Sequence, residues 1–208
     1  MEIKTRKQLD FFIAADLMMN RGIFKRTFRR RIYELFFPDY IMEYIRCMRK
    51  YSFYKYKMGG GNYQYFPLYF FHRLRFRKLG IKLGFNIGEN TFDYGLIIGH
   101  YGTVIVGATN RIGKYCVIHS STCITDNAKI IGDGFYCSTG VKVTSKLTLG
   151  NNISVGANSL VNKTFIDNNC LIAGMPAIKI KDSAPWYVRD GWNNKVLEIE
   201  QLKKQMNI

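Results

Sequence analysis

Between Val106 and Val161 an apolar side chain returns every sixth residue: Val106, Ile112, Ile118, Ile124, then, after one extra residue, Ile131, Cys137, Val143, Leu149, Val155 and Val161. Nine of these ten positions are aliphatic, and five of them are followed by glycine (Gly107, Gly113, Gly132, Gly150, Gly156). A helix repeats its apolar face every 3.6 residues and a half-buried strand every 2, so neither produces this spacing. A fixed short repeat marks a solenoid whose unit is one short strand and a corner. Stacked at about 4.8 Å, the inward side chains make one continuous core. The glycine after each is expected to let the chain turn with positive φ. Evenly spaced strands of an antiparallel sandwich are the competing fold; ten units with a single slip argue against it.

Three features around the repeat carry a family resemblance. Gly95-Leu-Ile-Ile-Gly-His100 precedes it, Val106 to Ile124 form its first units, and Ala173-Gly-Met-Pro-Ala177 follows it. In combination, over roughly residues 81–181, they resemble the hexapeptide-repeat acyltransferases, and among them the serine acetyltransferase branch. The resemblance implies a left-handed parallel β-helix, assembly as a homotrimer, and transfer of an acyl group from coenzyme A. The expected organisation is a basic helical region over 1–80, the β-helix over 81–181, and a loop with a short closing helix over 182–208. That helix, with Val196, Leu197, Ile199 and Leu202, is expected to cap the open end of the solenoid, where strand edges would otherwise be bare.

At 208 residues and 47% apolar content the chain can bury a proper core. Its five cysteines (Cys47, Cys116, Cys123, Cys137, Cys170) form no CxxC pair, which reads as reduced, buried thiols in a cytoplasmic protein. Asp16 interrupts the apolar run at 11–19 and no cleavage site follows, so a signal peptide is not expected. The longest charge-free run, 58–71, is too short and glycine-rich for a membrane span.

Charge is concentrated at one end. Residues 1–80 hold 18 Lys/Arg against 6 Asp/Glu, a net +12 of the total +16. Phe24, Phe28, Ile32 and Leu35/Phe36 recur at helical spacing among Lys25, Arg26, Arg29, Arg30 and Arg31, up to Pro38. A second helix is expected over 40–57, before Gly59-Gly60-Gly61, and the basic, aromatic 67–79 follows. Such a region suits an anionic membrane surface or a lipid-linked substrate, a polyanion, or simple packing between subunits. No nucleic-acid-binding motif is present.

Direct acyl transfer to a hydroxyl needs a base, and imidazole suits it because its unperturbed pKa of about 6.5 lies near working pH. Of three histidines, the resemblance places His100 as that base. His119 follows a column residue and faces outward, either lining the acceptor side or serving structure. His72 lies in the basic helical region and is expected to be inert. The family's upstream aspartate segment is replaced by Leu83-Gly-Phe-Asn86; Asp93 is the nearest carboxylate to orient His100, with Glu89 or a backbone carbonyl as alternatives. The coil cysteines are expected to be inert. A catalytic zinc needs three protein ligands and the coils offer two histidines, so no metal is expected.

By the same resemblance, acetyl-CoA would lie in a groove between protomers. Thr139 and Ala157 would meet the pantetheine arm, where backbone amides could also stabilise the oxyanion. Gly174, Pro176 and Ala177 would border the adenine, with Lys179 near the nucleotide phosphate. The family's second active-site histidine loop has no counterpart, since Thr125-Asp-Asn-Ala-Lys129 leaves no room for it. The expected acceptor is therefore a sugar hydroxyl of a capsular polysaccharide or its lipid-linked precursor at the inner membrane face. Serine, or a non-catalytic scaffold, is the alternative.

Overall fold

The structure, a computed structural model, describes residues 2–208. Four helices come first: α1 (Arg6–Arg21), α2 (Phe28–Phe36), α3 (Tyr40–Gly59) and α4 (Phe66–Leu83). Thr5 and Gln8 close a reciprocal capping box on α1, and Gly22 ends the helix in the left-handed region.

The chain then winds as a parallel β-helix of five coils. The first coil contains β1 (Phe85–Ile87), a bridge at Phe92, and β2 (Ile97–Ile98). The second contains β3 (Val104–Val106), β4 (Arg111–Ile112) and β5 (Val117–Ile118). The third contains β6 (Thr122–Ile124), β7 (Ile130–Ile131) and β8 (Tyr136–Cys137). The fourth contains β9 (Lys142–Val143), β10 (Thr148–Leu149) and β11 (Ile153–Val155). The fifth contains β12 (Leu160–Val161), a bridge at Phe165, and β13 (Cys170–Gly174). Equivalent strands stack in register, so Ile87, Val106, Ile124, Val143 and Val161 form one inward line. All ten repeat residues are buried in one core. Full burial of each contributes about 1.5–3 kcal/mol.

The glycines after the column residues do something other than expected. None of Gly107, Gly113, Gly132, Gly150 and Gly156 has positive φ. They are small because the next coil presses on them. A Cβ on Gly132 would stand 2.7 Å from the Gly150 carbonyl oxygen, and one on Gly156 would stand 2.8 Å from Ala173 Cβ. The left-handed corners fall two residues further on, at Gly134, Asn152 and Asn158 among others. The extra residue of the 124–131 step is absorbed at the Asp126–Ala128 corner, where Asp126 accepts from the Thr109 amide and Thr109 Oγ1 accepts from the Ala128 amide.

The parallel winding stops at a hairpin, since β14 (Ala177–Asp182) runs antiparallel to β13. Two helices follow, α5 (Trp186–Arg189) and α6 (Asn193–Gln205). α6 does not sit at the last coil as expected. It lies back against the first two coils and α1, where Glu200 accepts from the hydroxyls of Tyr94 (2.9 Å) and Tyr115 (2.6 Å). Val196 and Ile199 join Leu9, Phe11 and Met19 of α1 in a second core cluster. Of the fifth coil, β13 has its outer edge covered instead by β14, while β12 ends its own sheet.

Candidate active site

In-register stacking brings one corner of every coil into line. Gly99, His119, Ser138 and Gly156 each donate their amide to the strand of the following coil, at Ile118, Cys137, Val155 and Ile172. The residues one step further, His100, Ser120, Thr139, Ala157 and Gly174, therefore share one edge of the prism. The candidates His100, Thr139, Ala157 and Gly174 all lie on it, and all are exposed. Between Ile98 and Val106 this corner is two residues longer than the six-residue step, and His100 stands in the surplus.

His100 meets His119 across the coil step, ring centroids 6.2 Å apart. His119 is half-buried, and its Nε2 lies 3.1 Å from the Tyr136 hydroxyl. Burial, and then the neighbouring His100, push its pKa down from the ordinary imidazole value, so the neutral ring is favoured. The row continues through Tyr136 to Arg189, whose guanidinium lies 5.3 Å from the Tyr136 ring centroid and pairs with Asp190. Gly99 makes the histidine contact possible, because a Cβ there would stand 3.1 Å from His119 Nδ1.

The expected pairing of Asp93 with His100 is not formed. Asp93 lies at the corner before β2 and His100 at the corner after it. The face of the prism built on β2 (Ile97–Ile98) therefore stands between them. Asp93 instead caps the Tyr94 amide at 2.7 Å. Its pKa is raised, chiefly by burial. Glu89, the alternative, binds Lys55. Among the described residues no carboxylate hydrogen-bonds His100.

The hairpin residues diverge in placement. Ala177 is buried in the core, Pro176 is exposed at the turn, and the Gly174 amide donates to Ser159 Oγ at 3.1 Å. Lys179 lies between Asp182 (2.9 Å) and Asp167 (3.2 Å), so its charge is already matched. Burial raises the thiols of Cys137 to about 12 and Cys47 to about 11, and Cys116 also lies well above the ordinary thiol range. Thiolates at these positions are disfavoured. Among the described residues no three metal-ligating side chains converge.

What sequence reasoning misses is the support behind this edge. Arg49 of α3 and Asp16 of α1 form a buried pair that reaches the segment leading into β2, with Asp16 accepting from the Leu96 amide at 2.9 Å. An aspartate interrupting an apolar run was the one available signal.

No family model matches the chain. It is 27% identical over 89 residues to a serine acetyltransferase of Synechococcus elongatus, covering 39% of this chain and 36% of that protein. It is 28% identical over 113 residues to a serine acetyltransferase of Staphylococcus xylosus, covering 51% and 50%. The chain thus matches half or less of the length of these relatives. Its structure superposes on that of Neisseria gonorrhoeae serine acetyltransferase with a TM-score of 0.63 at 18% identity, over 90% of this chain and 72% of the other. A serine acetyltransferase in complex with CoA gives 0.57 at 13% identity, over 84% and 69%. The chain has the serine acetyltransferase fold. That likeness extends beyond the β-helix, since coverage of 90% must take in part of the helical region as well.

Proposed function

We propose that the protein transfers an acetyl group directly from acetyl-CoA to an acceptor hydroxyl, with His100 as general base. The observation that carries this reading is that His100, Thr139 and Ala157 share one exposed edge of the prism. His100 would take the hydroxyl proton while the oxygen attacks the thioester carbonyl. The tetrahedral intermediate would then expel the coenzyme A thiolate, which recovers the proton from the imidazolium. The small side chain of Ala157 leaves the backbone beside it accessible to an extended thioester arm, while the Gly174 amide is already held by Ser159 Oγ. A homotrimer would supply the second wall of the groove. His119, whose pKa is lowered by burial and by His100, would favour the proton on His100 and would back it across the coil step.

L-serine is the first acceptor to test, because both curated relatives are serine acetyltransferases and the fold is shared with them. A sugar hydroxyl is the second, favoured by the tight Asp126–Ala128 corner, which carries no second histidine loop, and by the lack of a carboxylate on His100. The deciding experiment is coenzyme A release with L-serine and with a panel of hexoses and N-acetylhexosamines. Turnover with serine at a kcat/KM above about 10⁴ M⁻¹s⁻¹ supports the first acceptor. Turnover confined to sugars supports the second, and acyl-CoA that neither binds nor turns over removes the proposal.

A further inference from the structure

Helix α2 presents its charged side to the protein and its apolar side outward. Glu34 is half-buried and pairs with Arg26 and with Arg30 Nε (3.0 Å); Arg30 also approaches Asp39, which Arg21 holds at 2.6 Å. These contacts tie the polar face to the helical body. At 100° per residue, Phe28, Ile32, Leu35 and Phe36 fall together on the opposite face. They are 76%, 45%, 78% and 75% exposed, and no residue of the helix is buried. Arg29 and Arg31, also exposed, stand at the two margins of this apolar strip. An ordinary surface helix has the reverse arrangement, and contiguous exposed apolar side chains mark a contact surface.

Charge decides what kind of contact. Residues 21–37 carry six Lys/Arg and one Glu. A two-fold contact between copies would set the same basic patch against itself, which is unfavourable, and a heterologous contact would still bring it against a chain of net charge +16. An anionic lipid surface is complementary. Its phosphates can meet Arg29 and Arg31 while the aromatic and aliphatic side chains enter the acyl boundary. Among the described residues no helix is long and apolar enough to cross a membrane, so the contact is a surface one. We propose that α2 is an interfacial anchor that seats the protein on an anionic bilayer through Phe28, Ile32, Leu35 and Phe36, with Arg29 and Arg31 at the headgroups.

The test is flotation of the full chain with phosphatidylcholine vesicles containing phosphatidylglycerol, and with phosphatidylcholine alone. The chain should float with the anionic vesicles and bind the neutral ones far less. Arg29→Gln with Arg31→Gln should weaken binding about 25-fold, at about fivefold per charge. Phe28→Ser with Leu35→Ser and Phe36→Ser should abolish it with the melting temperature unchanged, since none of the three is buried. No binding to anionic vesicles overturns the proposal, as does binding that survives the triple serine variant. A triple variant that instead lowers the oligomeric state by light scattering, with lipid binding intact, assigns the face to a protein interface and also overturns it.

Discussion

Arg49 and Asp16 meet in a fully buried ion pair, Nε to Oδ2 2.8 Å, with side-chain exposures of 1% and 0%. Their remaining hydrogen-bonding capacity goes to the first coil. Arg49 donates to the carbonyls of Phe92 (2.7 Å) and Asp93 (2.6 Å), and Asp16 accepts from Leu96. Two helices thereby hold the backbone that enters β2, which ends two residues before His100.

Breaking that pair should therefore be costly. Asp16→Ala or Arg49→Ala leaves a buried charge without its partner and is expected to cost about 3–5 kcal/mol. The double variant Asp16→Ala/Arg49→Ala should cost less than the two single losses added. Urea denaturation of the four proteins measures this, and strict additivity would mean the two side chains do not act as a unit.

Gly99→Ala tests the histidine row. The added methyl would press on the His119 ring at 3.1 Å, and either the ring or the corner carrying His100 must yield by a few tenths of an ångström. Turnover is expected to fall about tenfold with coenzyme A affinity kept. Calorimetry with coenzyme A alongside steady-state kinetics separates the two quantities. Unchanged kcat would show that the corner tolerates the shift.

Stability should weaken in mild acid through His72. This ring is buried in α4, stacks on Tyr54, and has no partner for Nδ1. Burial, with Lys50 and Arg75 adding to it, pushes its pKa from 6.5 to about 4. The unfolded chain binds the proton more readily than the folded one, so the contribution is complete above pH 6.5. It declines as pH falls from 6.5 towards 4, by at most about 3 kcal/mol. His72→Phe should flatten this part of the stability profile. Equal acid sensitivity in both proteins would contradict the assignment.

Glu200 holds α6 in place by accepting from Tyr94, Tyr115 and Lys114 Nζ (3.1 Å). Glu200→Gln keeps the shape but weakens three charge-assisted bonds, at a cost of about 1–3 kcal/mol. Hydrogen exchange should speed up in α6 before it does in the coils. Uniform acceleration would mean that α6 unfolds only with the whole chain.

The repeat is legible in the sequence because each short strand supplies one inward aliphatic residue, and ten units at a six-residue step fit neither the helical nor the plain strand period. That step also places Thr139 and Ala157, three units apart, on one edge; counted back from Val106 it would make His100 a column residue, and His100 reaches the edge because the step after Ile98 is eight long. Asp93, seven residues ahead of His100, reads as its partner in the sequence, but the fold puts it one face away, where it accepts from the Tyr94 amide. The first coil is hard to read because Phe92 replaces an aliphatic residue and the step after Ile98 is eight long. The glycines mislead because φ and close packing both favour glycine, and only coordinates tell a neighbour at 2.7 Å from a left-handed turn. Asp16 and Arg49 are 33 positions apart, with no local pattern linking them. The place of α6 depends on Tyr94 and Tyr115, whose sequence context gives no hint of a carboxylate far along the chain.

The most direct test of the account is acetyl-CoA turnover by His100→Ala, with the acceptor that the wild-type protein uses. Removal of the base should lower kcat by about 10²–10⁴-fold while coenzyme A still binds with wild-type affinity. A variant that keeps turnover within a few-fold of wild type would show that another group takes the acceptor proton, and that the edge carrying His100 is not where the reaction occurs.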